Sequence, residues 1–253
     1  MVLPENELQF TGERLIPGVK TLHPMFVENL ARFDFFRKHA QGSFILDLGC
    51  GVGDGTAFLS QQHGWHAVGV DIAPDAVYFA RHQHGTSGVS FAQMDVQRLG
   101  FANGCFDSIV SVEVIEHIPN PDGYLAEAAR VLRKGGLFML TTPNRLRSSP
   151  TPNSLWPEHL REFNPHELTE LLSTTFPQVE LWGECIPLYE AHPLRKLVRK
   201  LAPFIKPLLP HWLRVRALPT LQTAIKADLS LQDVHFSQFN LKDLPTLVAL
   251  CRK

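Results

Sequence analysis

From Gln41 onward the chain alternates short, wholly apolar runs with amphipathic stretches, the order in which parallel strands and their crossover helices are encoded. Residues 44–48 read as a strand buried on both faces, followed by a glycine-rich turn and a helix over 56–63 that stops at Gly64. Residues 66–70 form the second strand. Pro74 opens the next helix at a position where its missing N–H costs nothing, and the apolar spacing carries that helix towards Gly85. Strands follow at 89–92, 108–112 and 136–142, with a helix over 122–132 that turns Ala126, Ala129 and Leu132 inward. Asn164, Pro165 and Glu167 spell a capped helix start, and residues 179–183 and 247–251 complete the strands. The predicted fold is α/β, a doubly wound, mostly parallel sheet of seven strands with helices on both faces.

Two stretches break the alternation. Residues 1–40 precede the first strand and carry a helical pattern over 25–38, so the sheet-bearing domain spans 41–253. Residues 186–242 interrupt it before the last strand. Within them, 191–227 hold Lys196, Lys200, Lys206, Lys226, Arg195, Arg199, Arg214 and Arg216 with no acidic residue, punctuated by five prolines. This is an inserted, basic, partly helical segment, and the apolar spacing of Leu194, Leu197, Val198 and Leu201 beside its charges suits a lid over a pocket or peripheral membrane contact through 191–216.

Composition narrows the class. A formal net charge of −1 with 44% hydrophobic residues describes an ordinary globule and excludes a general nucleic-acid binder. The four cysteines are scattered and form no Cys-x-x-Cys pair, so neither a disulfide framework nor a structural zinc site is expected. No basic start with an apolar stretch opens the chain, and no run of about 18 apolar residues occurs; the expectation is a reduced, cytoplasmic protein.

The chemistry concentrates after the first strand. A glycine turn leaving a strand and entering a helix brings backbone close to a ligand. Counting from Gly49, Gly51 or Gly53, the sixth position is Asp54, Thr56 or Phe58, so no frame gives the dinucleotide fingerprint Gly-x-Gly-x-x-Gly. Instead Asp47-Leu-Gly49-Cys50-Gly51-Val-Gly53-Asp-Gly55 places a carboxylate two positions before the glycines, better suited to a cationic amino group than to a pyrophosphate.

That turn resembles motif I of the class I S-adenosylmethionine-dependent methyltransferases, and the resemblance runs through ordered motifs over about residues 44–183. It implies that Asp47, Gly49, Cys50, Gly51 and Gly53 surround the cofactor and that Asp71, closing the second strand, binds both ribose hydroxyls. It also implies that Asp95 meets the adenine amino group, that Ile72 and Val96 sandwich the ring, and that Val112 and Glu113 belong to the motif after strand four. Residues 101–107 and 130–136 match further segments of the same family. Cys50 reads as a small buried filler of the turn rather than a nucleophile. The stretch from Phe10 to Gly18 resembles a cofactor lid of methyltransferases in bacterial glycan and secondary-metabolite pathways, where Arg14 would meet the methionine carboxylate. The chain is also similar to ubiquinone-biosynthesis methyltransferases around residues 158–163.

Two histidines are the candidate catalytic groups. His117 follows strand four at the ligand-bearing edge of the sheet, and His159 lies after strand five beside the acceptor pocket that the resemblance implies. An imidazole suits proton removal from a hydroxyl near neutral pH. No pair or trio of His, Asp and Glu has metal-site spacing along the sequence, so no metal is expected. Thr141-Thr142-Pro143-Asn144 stands where amino-methylating enzymes for DNA bases and glutamine carry an Asn-Pro-Pro-Tyr type of motif. The expected reaction is therefore O-methylation of a small molecule: a sugar, a quinone, a lipid-linked or a secondary-metabolite acceptor. The alternatives are a nicotinamide-dependent reductase of the same fold and a catalytically silent S-adenosylmethionine-binding protein.

Overall fold

The structure is a computed structural model that describes residues 24–86, 88–148, 158–186 and 229–253. Its described elements are, in order, α1 (Pro24–His39), β1 (Phe44–Leu48), α2 (Asp54–Ser60), β2 (His66–Asp71), α3 (Pro74–His84), β3 (Val89–Gln93) and β4 (Phe106–Val112). Then come α4 (Pro121–Val131), β5 (Leu132–Pro143), α5 (Arg145–Ser148), α6 (Pro165–Ser173), β6 (Gln178–Cys185), β7 (His235–Ser237) and β8 (Thr246–Arg252). The strand order is β3-β2-β1-β4-β5-β8-β6-β7.

β1 to β5 are parallel, and β8 inserts antiparallel between β5 and β6. Eight described strands thus replace the seven expected. The extra one, β7, pairs antiparallel with β6 through Gly183–Ser237, Glu184–Phe236 and Cys185–His235 and lies inside the stretch read as an insertion. Three residues carry no readable period, so a strand this short is invisible as pattern. The helix expected over 122–132 ends one residue early, because Leu132 pairs with Phe106 across β4 before the ladder shifts register at Ser108.

Parallel strands are buried on both faces, and each face builds its own core. On one side Leu46, Leu48, Val70, Ile109, Phe138 and Leu140 pack against Tyr124, Leu125 and Ala128 of α4 and Leu168 and Leu172 of α6. On the other, Ile45, Ala67, Phe91, Val110 and Met139 meet Phe33 and Phe36 of α1, Leu59 of α2 and Val77 and Ala80 of α3. Caps fix where these helices begin. Asn120 accepts the Gly123 amide ahead of Pro121 in α4, and Asn164 and Glu167 form the expected reciprocal capping box of α6.

Strand order reverses direction at β1, with β2 and β3 to one side and β4 and β5 to the other. In open α/β sheets a ligand binds at the carboxyl ends of the strands beside such a switch point. Among the described residues no helix is long and apolar enough to cross a membrane.

Candidate active site

A cavity of about 630 Å³ opens at that switch point, lined by the turn after β1, by Asp71, Ile72, Asp95, Val96, Glu113 and by one side of α1. The turn is shaped by left-handed backbone at Gly49 (φ 76°), Gly51 (φ 53°) and Gly53 (φ 87°). A Cβ on Gly49 would press into Val114, whereas one on Gly51 would meet nothing within 4 Å among the described residues. The space above Gly51 is therefore open for a ligand. The amides of Gly49 and Cys50 both donate to the Val70 carbonyl, and the Gly51 amide donates to Asp71 Oδ2 at 2.8 Å. Because those donors are tied to β2, the glycines contribute a close backbone approach rather than free N–H groups.

Asp71 is anchored twice, since its Oδ1 accepts the Ala73 amide at 2.9 Å. A carboxylate has about four lone-pair sites, so two bonds to backbone still leave one acceptor site on each oxygen. Beside it Ile72 is 66% exposed, an apolar side chain left standing in the cavity mouth. Val96 is buried below the Asp95 turn, where Asp95 Oδ1 accepts the Gln97 amide at 2.8 Å.

Asp47 has a different setting from the one its sequence position suggests. It is buried, is not among the residues lining the cavity, and accepts the Thr56 hydroxyl at 2.6 Å. Burial pushes its carboxyl up to about 7, the Asp71 charge acts in the same direction, and the Thr56 bond opposes both. Cys50 lines the cavity, but burial and then the charges of Asp47 and Asp71 hold its thiol protonated, which removes its nucleophilicity.

The far end of the cavity is built by the segment after β4. Val112 ends the strand, and Glu113 takes a left-handed φ of 55°, a conformation a side chain rarely adopts outside constrained sites. Glu113 Oε1 accepts the Thr141 hydroxyl at 2.8 Å. One turn on, Glu116 is completely buried; its Oε2 accepts the Thr142 hydroxyl, while Oε1 has no hydrogen-bond partner among the described residues. Burial, reinforced by Glu113, pushes the Glu116 carboxyl well above the usual carboxylate range. The Glu116 carbonyl accepts the amides of Leu160 and Arg161, which docks residues 158–163 against this turn. That docking brings His159 beside His117, ring centroids 4.9 Å apart and edge to face. His117 Nδ1 bonds the Glu158 carbonyl at 3.1 Å, and His159 Nδ1 bonds Glu162 Oε1 at 2.8 Å.

Two residues at this site carry no role in the sequence reading. Glu116 stands in the motif after strand four, between Glu113 and His117, and the cue was its position next to the histidine among Val114, Ile115 and Ile118. Arg32 of α1 lines the cavity and pairs through Nε with buried Glu184 of β6 at 2.5 Å, with Glu113 and with the Thr246 hydroxyl. Burial works against its charge, yet the carboxylates of Glu184 and Glu113 outweigh it and raise the guanidinium further. A cation among Ala31, Phe33, Phe35 and Phe36 was the available signal. Arg14 and the basic segment 191–216 lie outside the described residues.

Sheet order and cavity together define a doubly wound α/β protein with a ligand site at its switch point. Residues 46–140 match the family model described as "Methyltransferase domain". A relative from Mycolicibacterium smegmatis, described as "Probable S-adenosylmethionine-dependent methyltransferase", is 33% identical over 69% of this chain and 67% of its own length. A ubiquinone biosynthesis O-methyltransferase from Xylella fastidiosa is 32% identical over 48% of this chain and 51% of its own. Among solved structures, Haemonchus contortus phosphoethanolamine N-methyltransferase 2 in complex with S-adenosyl-L-methionine superposes with a TM-score of 0.61 at 20% identity, covering 89% of this chain and 52% of that one. The chain belongs to the S-adenosylmethionine-dependent methyltransferase family, and S-adenosylmethionine is its cofactor. It spans about two thirds of the first relative's length and about half of the second's. The open space over Gly51, the remaining lone pairs of Asp71 and the exposed Ile72 fit the nucleoside of that cofactor.

Proposed function

We propose that this enzyme methylates a hydroxyl group of a small molecule in the cytoplasm. The observation that carries the reading is that one cavity joins Asp71, Ile72, Asp95 and Val96 at one end to Glu116, His117 and His159 at the other. In this reading Asp71 takes the ribose hydroxyls and Asp95 the adenine amino group, with Ile72 and Val96 on the two faces of the ring. Gly49 to Gly53 let the chain approach the methionine portion beside Val112 and Glu113, and Asp47 acts from behind the turn through its field. Arg14 meets the methionine carboxylate from the N-terminal lid segment, residues 1–40, whose α1 already contributes Met25, Phe26 and Arg32 to the cavity lining.

S-adenosylmethionine supplies a methyl group already activated on a sulfonium, so the protein has chiefly to orient, dehydrate and deprotonate the acceptor. His117, held at Nδ1 by the Glu158 carbonyl, presents the other ring nitrogen for that proton, and His159 is its neighbour. The O-methyltransferase relative is consistent with an oxygen acceptor such as a quinol, sugar or lipid-linked hydroxyl.

The reading is tested by turnover with labelled S-adenosylmethionine against a panel of hydroxyl, amine and activated-carbon acceptors. Transfer to oxygen, slowed about 10²-fold or more in His117→Ala with cofactor affinity retained, is expected. Methylation of nitrogen or carbon alone overturns the oxygen assignment, and binding without turnover on any acceptor favours a silent binding protein.

A further inference from the structure

Sequence spacing offers no metal-binding trio, but the fold makes one. One ring nitrogen each of His117 and His159 and a carboxylate oxygen of Glu116 all lie within 4.8 Å of one another. Each member is prepared for a cation in a way the cofactor does not require. Glu116 is fully buried, and among the described residues its Oε1 meets no hydrogen-bond partner, an unfavourable state for a buried acceptor that a bound cation would relieve. The Glu158 carbonyl can only accept, so His117 Nδ1 carries the hydrogen and the lone pair resides on Nε2. Glu162 fixes His159 in the same sense. A histidine whose one nitrogen donates to a carbonyl or carboxylate while the other faces a donor cluster is the usual outer-shell arrangement of a metal ligand.

We propose that Glu116, His117 and His159 bind a divalent transition-metal ion of the manganese-to-zinc series at the acceptor end of the cavity, leaving coordination positions open to substrate oxygen. Two imidazoles and one carboxylate suit such borderline ions, whereas magnesium and calcium favour all-oxygen shells. The inference deepens the O-methylation reading and rests on it for the ion's purpose: the substrate class becomes hydroxyl acceptors able to donate oxygen to a metal, such as vicinal diols or catechol-like rings. The cation favours the ionised acceptor, whose proton passes to solvent. The oxygen lone pair then forms the O–C bond, and the electrons of the broken S–C bond remain on sulfur as a neutral thioether. With the ion bound, the His117 nitrogen that would otherwise take the acceptor's proton holds the metal instead, and the metal takes over the ionisation of the acceptor.

The test uses the full chain stripped with chelator and titrated calorimetrically with MnCl2, CoCl2 and ZnCl2, with S-adenosylhomocysteine affinity measured on the same samples. About one ion per chain is expected. His117→Ala and His159→Ala should each weaken it at least about 10-fold while S-adenosylhomocysteine still binds, which also certifies the fold. Glu116→Gln, which keeps the shape of the buried side chain, should weaken it similarly. Failure of all three ions to bind a wild-type protein that does bind S-adenosylhomocysteine overturns the metal site and leaves methyl transfer standing. Undiminished metal binding in a folded His117→Ala/His159→Ala double variant overturns it as well. Loss of methylation at oxygen with metal binding intact would remove the O-methylation reading alone.

Discussion

Asp71 at the end of β2 reaches across to the turn after β1 and holds the Gly51 amide on its Oδ2 at 2.8 Å, so one carboxylate both shapes the glycine turn and faces the cavity that the turn opens. A ribose with two hydroxyls would find on it the acceptor sites that the backbone leaves unused.

Asp71→Ala should therefore weaken S-adenosylmethionine binding by about 2–4 kcal/mol, roughly 30- to 1,000-fold, for two charge-assisted hydrogen bonds. Asp71→Asn keeps an acceptor for the Gly51 amide and should lose less. Calorimetry on variants shown to be folded decides the point; equal affinity in Asp71→Ala would remove Asp71 from the ribose.

A second expectation concerns pH. In the unfolded chain the Asp47 carboxyl has its ordinary value of 3.8, and in the fold it stands at about 7. Between those values the folded state retains a proton that the unfolded chain has released, so this group's contribution is full below the lower value and is lost as pH rises through the upper one. Asp47→Asn removes the ionisation. Its stability relative to wild type should grow with pH across that window, by at most about 1.4 kcal/mol per pH unit. Glu116 shifts in the same direction, so the difference between the two proteins, followed by urea denaturation from about pH 4 to 8, is the quantity to read. A difference independent of pH would show that Asp47 ionises normally in the fold.

How much of this was visible in the sequence depends on whether the information is local. β1 to β5 were legible because strands buried on both faces read as apolar runs between turn residues, and the α6 cap because Asn164, Pro165 and Glu167 are neighbours. The direction of Asp47 was not. Side chains alternate along a strand, and Asp47 shares a face with Ile45, towards α1 and α2, which places its carboxyl under Thr56 instead of in the cavity. The approach of His159 to His117 depends on the Glu116 carbonyl catching the amides of Leu160 and Arg161, a docking between segments separated by α4 and β5. No local period encodes such a contact.

The Arg32–Glu184 pair is non-local in the same way and supplies a third prediction. It ties α1 to β6, with Glu184 buried and the guanidinium nearly so. Removing the cation takes its charged partner from a buried carboxylate, which typically costs about 3–5 kcal/mol, more than the intact pair contributes. Arg32→Met should destabilise by that order, and adding Glu184→Gln should recover much of it. A double variant no more stable than Arg32→Met would mean that Glu113 and Thr246, the other partners of Arg32, carry the effect.

The last prediction separates binding from folding with two apolar residues on the cavity. Ile72 is 66% exposed and Val96 7% exposed, although both line the same space. Truncating Ile72 removes little that the fold itself buries, and exposed substitutions usually stay within about 0.5 kcal/mol of wild-type stability. If the adenine ring covers Ile72, however, the bound state buries it. Burying such a side chain is worth about 1.5–3 kcal/mol when complete, so Ile72→Ala should weaken cofactor binding by roughly 5- to 30-fold for partial coverage, with melting temperature almost unchanged. Val96→Ala should behave differently, lowering stability and affinity together, because Val96 packs with Leu99 and Val70 in the core beneath the site. Thermal melts and calorimetric titration of the two variants side by side read both effects. Wild-type affinity in Ile72→Ala would place the adenine elsewhere in the cavity, and with it the assignment of Asp95 to the adenine amino group would fall.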